Sequence, residues 1–427
     1  MKTKYLIVGN SVAGVNCIEG IRRIDKQGKI VVISDEDIYN YSRPLISYYL
    51  AGKISRDEMS FKGKEFYKEN NVELVLNTTA ERIDIEKKEV VTDKFVISFD
   101  TLCISTGGKP FIPDVEGYLP GMRGVFTFIN FSDAENLRVY IEEKKIRKGV
   151  ILGGGLIGLK CAEGLIARGL EVSIIEMADR LLASTFDKEA SKTVEALLKK
   201  KRCNVFTEET VKKIERKKNS LSGIILTSGQ KIDTELLVIA VGVKPNIKIV
   251  KDTPVKCNRG ILVNEYMMTS IPSIYAAGDV AEGKDIVLNR NSVIAIWPVA
   301  ARQGKVAGMN MAGAGITYEG LFPMNAVDII GIPVISFGIT NPEETDKYEV
   351  LSKKDGYVYK KIVLENNRIV GCIFLGNVER SGIFSGLIKN RVNVGSFKDD
   401  LLKEGFGLLV LPDEYRKHMV VGEGIEV

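Results

Sequence analysis

Two glycine-rich turns have the residue types and spacing that bind the diphosphate of a dinucleotide. One lies in "YLIVGNSVAGVNCIEGI" near the N-terminus, and the other is "GVILGGGLIGLKCAEGL" at residues 149–165. Each turn follows an apolar strand and opens a helix, whose first backbone N–H groups can hold a diphosphate. An acid ends the next strand of each unit, Asp35 at 21 positions after Gly14 and Glu176 at 18 positions after Gly158. A carboxylate about 20 residues on can bind the ribose, so the sequence predicts two dinucleotide-binding units.

A third motif indicates what the first unit binds. The stretch "TSIPSIYAAGDVAE" is typical of a buried strand, from Ser273 to Ala277, that ends at Gly278-Asp279. A carboxylate at such a strand end can accept hydrogen bonds from a sugar-like polyol. We expect this strand to join the sheet of the first unit.

Two further segments repeat each other. "DTLCISTGGKP" at 100–110 and "TELLVIAVGVKPN" at 234–246 each contain an acid, an apolar strand, a turn of small residues, a lysine and a proline. They lie at similar distances after the two glycine-rich turns. The repetition indicates that the two units share one plan.

With these motifs in this order, the sequence resembles the two-dinucleotide flavoprotein family that includes glutathione reductase, NADH oxidase, rubredoxin reductase and the flavin part of nitrite reductase. The resemblance is closest to the rubredoxin reductase and nitrite reductase type. It implies an α/β fold with two Rossmann-like three-layer dinucleotide-binding domains plus a C-terminal α+β interface domain. The implied limits are 1–112 and 247–322 for a discontinuous FAD-binding domain, 113–246 for the NAD-binding domain, and 323–427 for the interface domain.

The resemblance also implies which residues bind each cofactor. For FAD these are Gly9, Ser11, Ala13, Gly14, Asp35, Arg43, Pro44, Ser47, Ala80, Thr106, Gly107, Gly278, Asp279, Trp297 and Pro298. For NAD(H) they are Gly153, Gly155, Leu156, Ile157, Gly158, Glu176 and Gly242. A carboxylate at Glu176 can bind both ribose hydroxyls and repel a 2′-phosphate, and Asp179 adds to that repulsion, which favours NADH over NADPH. Arg180 is the opposing signal, since a nearby arginine can hold that phosphate.

The segment "NYSRPLISYYLAG" at 40–52 bears on the chemistry that follows flavin reduction. Relatives carry a similar stretch along the flavin, so Arg43 is expected to pair with a phosphate or the flavin edge. Disulfide reductases of the family place a cysteine pair here, and their NADH oxidases and peroxidases place one cysteine, but this segment has none. The histidine–glutamate pair of disulfide reductases is missing too, because His418 stands without that motif. Disulfide reduction through a thiolate relay is therefore disfavoured.

Two positions are predicted to tune the flavin. Lys160, the one catalytic candidate, stands where relatives often carry a glutamate that points toward the flavin–nicotinamide contact. We expect it to stabilise negative charge on reduced flavin or to pair with an acid across the site, the alternative being that it extends into solvent. Trp297-Pro298 is typical of a helix start, and the positive N-terminus of that helix would stabilise reduced flavin. Trp297 either covers an edge of the flavin or is an ordinary core residue.

Composition limits the remaining possibilities. The chain has 427 residues, enough for two or three domains, and a net charge of +5, too small and too dispersed to indicate nucleic-acid binding. No run of about 18 apolar residues suggests a membrane span. The chain enters a strand within four residues, which is unlike a signal peptide. Six scattered cysteines without a CxxC or a metal-binding pattern favour a reducing, cytoplasmic setting.

The predicted function is that of an NADH-dependent FAD oxidoreductase. It would exchange electrons with a small redox protein, either rubredoxin or a ferredoxin-like iron–sulfur protein. The alternatives are a hydrogen-peroxide-forming NADH oxidase, a redox-sensing flavoprotein, and a detached flavin module of a nitrite reductase. The C-terminal domain is expected to support a homodimer or a larger redox complex, or else to be a packing module with no oligomeric role.

Overall fold

The computed structural model describes residues 1–342, 345–407 and 411–412. The chain forms two compact units, the first made of Met1–Met177 and Arg202–Leu321, the second of Ala178–Lys201 and the chain from Phe322 onward. The predicted limits between the FAD-binding and NAD-binding domains stay predictions, because most of both lies in the first unit. His418 lies outside the described residues.

The first part of the chain builds a parallel sheet around the first glycine-rich turn. Its elements are β1 (Lys2–Val8), α1 (Val12–Ile24), β2 (Ile30–Ile33), α2 (Ile46–Leu50), α3 (Glu65–Glu69), β3 (Val72–Val75), β4 (Ala80–Asp84), β5 (Glu89–Thr92), β6 (Val96–Ile104) and β7 (Gly108–Pro110). The sheet order is β3-β2-β1-β6-β5-β4, parallel from β3 to β6 and antiparallel beyond. The sequence of β2, "IVVI", is buried at every position, as expected for a strand covered on both faces.

The middle part repeats this arrangement. Its elements are β8 (Val125–Phe126), α4 (Phe131–Lys144), β9 (Lys148–Leu152), α5 (Leu156–Ala167), β10 (Glu171–Ile175), α6 (Lys188–Lys200), β11 (Asn204–Phe206), β12 (Val211–Lys217), β13 (Ser220–Leu226), β14 (Lys231–Ile232), β15 (Leu237–Ile239) and β16 (Val243–Pro245). A parallel sheet has the order β11-β10-β9-β15-β8. The two segments that repeat each other in sequence pair directly, because β7 and β16 form an antiparallel ribbon.

The chain then returns to the first sheet. The elements are β17 (Ile261–Leu262), β18 (Ile274–Ala276), β19 (Ala281–Asp285), β20 (Arg290–Ser292) and α7 (Trp297–Met311). Strand β18 pairs in parallel with the end of β6, which confirms that the strand before Asp279 joins the sheet of the first unit. Helix α7 starts at the predicted Trp297-Pro298 step.

Helices α1 and α7 approach each other closely because glycines line their contact. A Cβ on Gly304 would lie 2.1 Å from the carbonyl oxygen of Ala13, and one on Gly308 would lie 2.1 Å from that of Cys17. On the other helix, a Cβ on Gly20 would lie 2.3 Å from the carbonyl oxygen of Lys305. The helix that starts at the first glycine-rich turn is therefore locked against the helix that starts at Trp297.

The second compact unit contains an antiparallel sheet. Its elements from Phe322 onward are β21 (Met324–Ile329), β22 (Ile332–Gly338), β23 (Glu349–Asp355), β24 (Val358–Glu365), β25 (Arg368–Leu375) and α8 (Ser381–Lys389), in the sheet order β21-β22-β25-β24-β23. Asn366 and Asn367, both at positive φ, form the hairpin between β24 and β25, which is the structure that the sequence "ENNR" favours. Helix α6 belongs to this unit, where its N-cap Asp187 pairs with the buried Lys361 at 3.0 Å. None of the helices in the described part of the chain is both long and apolar enough to cross a lipid bilayer.

Substitution of Gly308 by alanine tests the contact between α1 and α7. We expect Gly308→Ala to lower the free energy of unfolding by about 1–3 kcal/mol, because the added methyl group forces the backbones apart. Gly382→Ala is the matched control, since Gly382 is a helical glycine whose Cβ would meet open space. Chemical denaturation measures both. Equal stability of the Gly308 variant and the control would show that the helices can separate without cost.

Candidate functional site

The two glycine-rich turns have the same geometry. The first glycine of each has a positive φ, +114° at Gly9 and +112° at Gly153. The N–H of Gly9 donates to the carbonyl of Ile33 at 2.8 Å, and the N–H of Gly153 donates to that of Ile175 at the same distance. The turns thus leave their strands in the same way and present two equivalent binding surfaces.

The last glycine of each turn permits a very close approach. A Cβ on Gly14 would lie 2.0 Å from the carbonyl oxygen of Gly9, and the equivalent distance from Gly158 to Gly153 is also 2.0 Å. A side chain at either position would open the turn. These contacts give a physical reason for the GxGxxG pattern at the second turn and for its closely related form at the first.

Both helices begin without a side-chain cap. Ser11 is the N-cap of α1 and Gly155 that of α5, and neither makes a capping side-chain hydrogen bond. A Cβ on Gly155 would meet nothing within 4 Å, so the backbone there is open to a ligand. Unsatisfied N–H groups at an open helix N-terminus fit a diphosphate. Val12 and Ala13 in α1, and Leu156 and Ile157 in α5, follow these N-caps directly.

Arg43 is the positive centre of the first site. Burial alone would lower the pKa of its guanidinium, but four neighbouring groups together hold that pKa above its usual value. These groups are Tyr41, Glu36, Asp279 and Asp35. The structure therefore brings together the acid predicted for the ribose, the acid predicted for the polyol and the arginine of the segment after β2.

Asp279 is held in an unusual environment for a carboxylate. Burial raises its pKa, and the charge on Arg43 opposes that shift. Within the described residues, no side-chain hydrogen bond or ion pair involves this carboxylate. Asp279 is partly buried, so hydroxyl groups of a ligand that donate hydrogen bonds to its carboxylate would stabilise it.

Glu36 is a site residue that the sequence analysis missed. Its Oε1 pairs with Arg43 Nη2 at 2.6 Å, and its Oε2 accepts from the Tyr41 hydroxyl at 2.7 Å. Arg43 Nη1 also donates to the carbonyl of Ile129 at 3.3 Å, while Tyr41 accepts from the N–H of Phe131 at 2.9 Å. The signal in the sequence was the second acid of "SDED", one residue after the predicted ribose acid.

Four other residues predicted for FAD have defined surroundings in the structure. The N–H of Thr78 donates to the carbonyl of Ser34 at 2.8 Å, which places the start of β4 at Ala80 near the loop that carries Asp35. Thr106 Oγ1 donates to the carbonyl of Asn246 at 2.8 Å, beside Gly107, whose added Cβ would meet open space. The N–H of Gly278 donates to the buried Gln303 at 2.9 Å.

The segment from Arg43 to Leu50 ends in a short helix. Pro44 lies in the 3-10 turn, Arg43–Leu45, that leads into this helix, and Ser47 Oγ donates to the Pro44 carbonyl at 3.4 Å. Trp297 packs edge-to-face on Phe61 with ring centroids 5.2 Å apart, and the adjacent Pro298 is exposed. Trp297 therefore packs at the margin of the core.

In the second site, Glu176 binds the turn itself. Its Oε2 accepts from the N–H of Gly154 at 2.6 Å, so the acid predicted for the ribose lies against the glycine-rich turn. Gly242, between β15 and β16, has a φ of +111° and open space around an added Cβ. In the second compact unit, Arg180 pairs with Asp179 at 2.6 Å. The guanidinium that could have indicated binding of a 2′-phosphate is therefore already paired with a carboxylate.

Lys160 is half-buried and paired. Its ammonium forms an ion pair with Glu163, one turn later on α5, and lies 5.5 Å from the centre of the Tyr48 ring. Only 17% of its side chain is exposed, so it does not extend freely into solvent. Lys160 thus stands between the helix of the second turn and the α2 segment that contains Ser47.

Buried polar atoms test whether these residues fit a polar cofactor. Among the described residues, only four buried side-chain nitrogen or oxygen atoms have no hydrogen-bond partner, and two of them are Asn10 Nδ2 and Arg43 Nε. Both belong to the first site. Unpaired donors are rare in protein interiors, and an anionic dinucleotide such as FAD supplies acceptors for them. The residues present therefore fit FAD.

Comparison with known proteins agrees with this geometry. Residues 3–304 match the model of the pyridine nucleotide-disulphide oxidoreductase family, and residues 323–392 match that of the rubredoxin NAD+ reductase C-terminal domain. The chain is 32% identical to the NAD(P)H nitrite reductase of Bacillus subtilis, over 92% of this chain and 48% of the relative. It is also 32% identical to the NADH oxidase of Methanocaldococcus jannaschii, over 87% of each chain.

A solved structure shows the same fold over most of the chain. The NADH:rubredoxin oxidoreductase of Clostridium acetobutylicum superposes with a TM-score of 0.75 at 26% identity, covering 93% of this chain and 98% of that one. The chain spans about half the length of the nitrite reductase that it matches. The fold class predicted from the sequence is confirmed by these matches.

Substitution of Gly155 by alanine tests the second turn as the NADH site. The added methyl group has room in the protein, so we expect Gly155→Ala to keep its FAD content and thermal stability. The same methyl group would occupy the space of a diphosphate, and we expect the KM for NADH to rise about tenfold or more. Gly63→Ala, another substitution into open space, is the control. An unchanged KM in the Gly155 variant would place NADH elsewhere.

Proposed function

The chain belongs to the pyridine nucleotide-disulphide oxidoreductase family, whose members bind FAD and NAD(P)H, and we propose that it exchanges electrons between NADH and a small iron–sulfur protein through FAD. The observation that supports this proposal is the pair of glycine-rich turns with the same geometry, together with the segment around Arg43, residues 40–52, which contains no cysteine. The match of residues 323–392 to a rubredoxin reductase domain favours rubredoxin or a ferredoxin-like protein as the partner. The C-terminal unit is the proposed region for assembly into a homodimer or a larger complex.

The chemistry that FAD supplies when bound is acceptance of a hydride from NADH and release of the electrons to a second acceptor. The residues of the chain bind the two dinucleotides and orient them. The open helix N-termini at Ser11 and Gly155 hold the two diphosphates, and Asp279 holds hydroxyl groups of the FAD polyol. Helix α7 has no acid in its first turn and no side-chain cap, so its N-terminus would stabilise negative charge.

The cysteines support transfer without a thiol. All six are free, and only Cys257 is exposed. Burial raises the pKa of the Cys17 and Cys161 thiols, which keeps them protonated and unreactive. A thiolate relay of the disulfide-reductase kind has no suitable residue in the 40–52 segment. Free, scattered cysteines also favour the cytoplasm as the location.

The relative affinity for the two nicotinamide cofactors follows from Glu176 and Asp179. Glu176 would face the ribose, where its carboxylate would repel a 2′-phosphate. Within its own unit, Asp179 pairs with Arg180, which reduces the capacity of that arginine to bind a phosphate. We therefore propose NADH as the reductant.

Anaerobic electron transfer tests the proposed partner. The holoenzyme is mixed with NADH and either rubredoxin or a ferredoxin, and carrier reduction is followed by absorbance. We expect rapid reduction of at least one carrier, because the proposed route has no thiol between the flavin and the acceptor. Oxygen consumption with and without catalase tests the alternative that the NADH oxidase relative suggests. Release of hydrogen peroxide at the rate of NADH oxidation, without reduction of either carrier, would favour the oxidase.

Lys160 is proposed to stabilise negative charge on reduced flavin. Replacement by glutamate reverses the charge at a half-buried position, so we expect Lys160→Glu to lower the flavin reduction potential by roughly 30 mV and to slow hydride transfer. Spectroelectrochemistry measures the potential. Lys251→Glu, which alters an exposed lysine, is the control. An unchanged potential together with an unchanged rate would remove Lys160 from the reaction.

A further inference from the structure

Asn10 lies inside the first glycine-rich turn, directly after Gly9. Its side chain is 92% buried, since only 8% of the residue is exposed, yet its Nδ2 has no hydrogen-bond partner in the described structure. The equivalent residue of the second turn is Gly154, which has no side chain. A buried amide nitrogen without an acceptor is costly, so its presence in a nucleotide-binding turn needs a reason.

A chain of hydrogen bonds determines how the Asn10 amide is oriented. The backbone N–H of Lys62 can only donate, and it donates to Asn40 Oδ1 at 2.7 Å. The Nδ2 of Asn40 therefore faces the Tyr67 hydroxyl and donates to it at 2.8 Å. Tyr67 has a single hydroxyl hydrogen, which is then left to donate to Asn10 Oδ1 at 2.7 Å. The NH2 group of Asn10 consequently points away from this chain as a free donor.

Tyr67 is well suited to hold this orientation. It is 4% exposed, and its ring packs against Phe66 and Tyr39 with centroid separations of 5.4 and 5.8 Å. Burial raises the pKa of its phenol, although the two asparagines oppose the shift. The hydroxyl therefore stays protonated and remains a donor to Asn10.

We propose that Asn10 is an FAD-binding residue whose side-chain NH2 donates to the diphosphate, and that Tyr67 is the positioning residue that aims it. The diphosphate is the expected acceptor because Asn10 stands between Gly9 and the uncapped N-terminus of α1, where such a group binds. This inference rests on the proposed placement of FAD at the first turn. It assigns to that turn a side-chain donor that the second turn lacks.

Binding of ligands to the apoprotein tests the proposal without NADH or an electron acceptor. FAD affinity is measured by flavin fluorescence, and ADP, which has the diphosphate but no flavin, is titrated as a competitor that displaces FAD. We expect Asn10→Gly to weaken FAD and ADP by the same factor, roughly tenfold. Asn289→Gly, at an exposed turn, is the matched control and should change neither. Weaker FAD with unchanged ADP would overturn the assignment to the diphosphate.

A double-mutant cycle tests the role of Tyr67. We expect Tyr67→Phe to weaken FAD binding in the otherwise native protein but by less than about twofold in the Asn10→Gly background, because its effect passes through Asn10. Equal losses in both backgrounds would show that Tyr67 acts independently of Asn10, which contradicts the proposal.

A second variant covers the case in which Tyr67→Phe does not fold. Asn10→Asp has the same shape but places a carboxylate where the donor was, so it should bind FAD and ADP more weakly than Asn10→Gly does. Equal binding by the two variants would contradict the proposal. Failure of the native apoprotein to bind FAD would instead contradict the placement of FAD, and so the proposed function.

Discussion

The close contact within each glycine-rich turn is the constraint on which the rest of the structure depends. At both turns the last glycine lies against the carbonyl of the first, and only a residue without a Cβ permits this. The contact lets the helix start immediately after the strand, with its N–H groups open to an anion. The two units repeat this geometry so closely that they form two equivalent positions for dinucleotides in one compact unit.

Charge distinguishes the two positions. At the first, the partly buried Arg43 interacts with several acids, and Glu36 pairs with it at 2.6 Å. The side chain of Glu36 is only 17% exposed, so loss of the arginine would leave a poorly solvated carboxylate without a partner. Hydrogen bonds from Arg43 to the carbonyl of Ile129 and from the N–H of Phe131 to Tyr41 connect this ion pair to the start of α4. At the second position the acid, Glu176, instead accepts a hydrogen bond from the glycine-rich turn.

The sequence was sufficient to predict what depends on local chemistry. The two turns, the strand before Asp279 and the hairpin at Asn366 are each specified by a few consecutive residues, and the structure has all of them. The partners of Arg43 and the orientation of Asn10 were not predictable in this way, because Asn10 and Tyr67 are 57 residues apart. Such contacts depend on tertiary packing, which no local pattern records. The residue-level roles in cofactor binding stay predictions.

The proposed function depends most on direct transfer of a hydride between the two dinucleotides. The reductive half-reaction measures this transfer without any later transfer of electrons to an acceptor. The purified holoenzyme is mixed with NADH in the absence of oxygen and of any carrier, and the flavin absorbance near 450 nm is followed by stopped flow. We expect the absorbance to be lost within the turnover time and NADPH to be much less effective. A flavin that NADH leaves oxidised under these conditions would contradict direct hydride transfer.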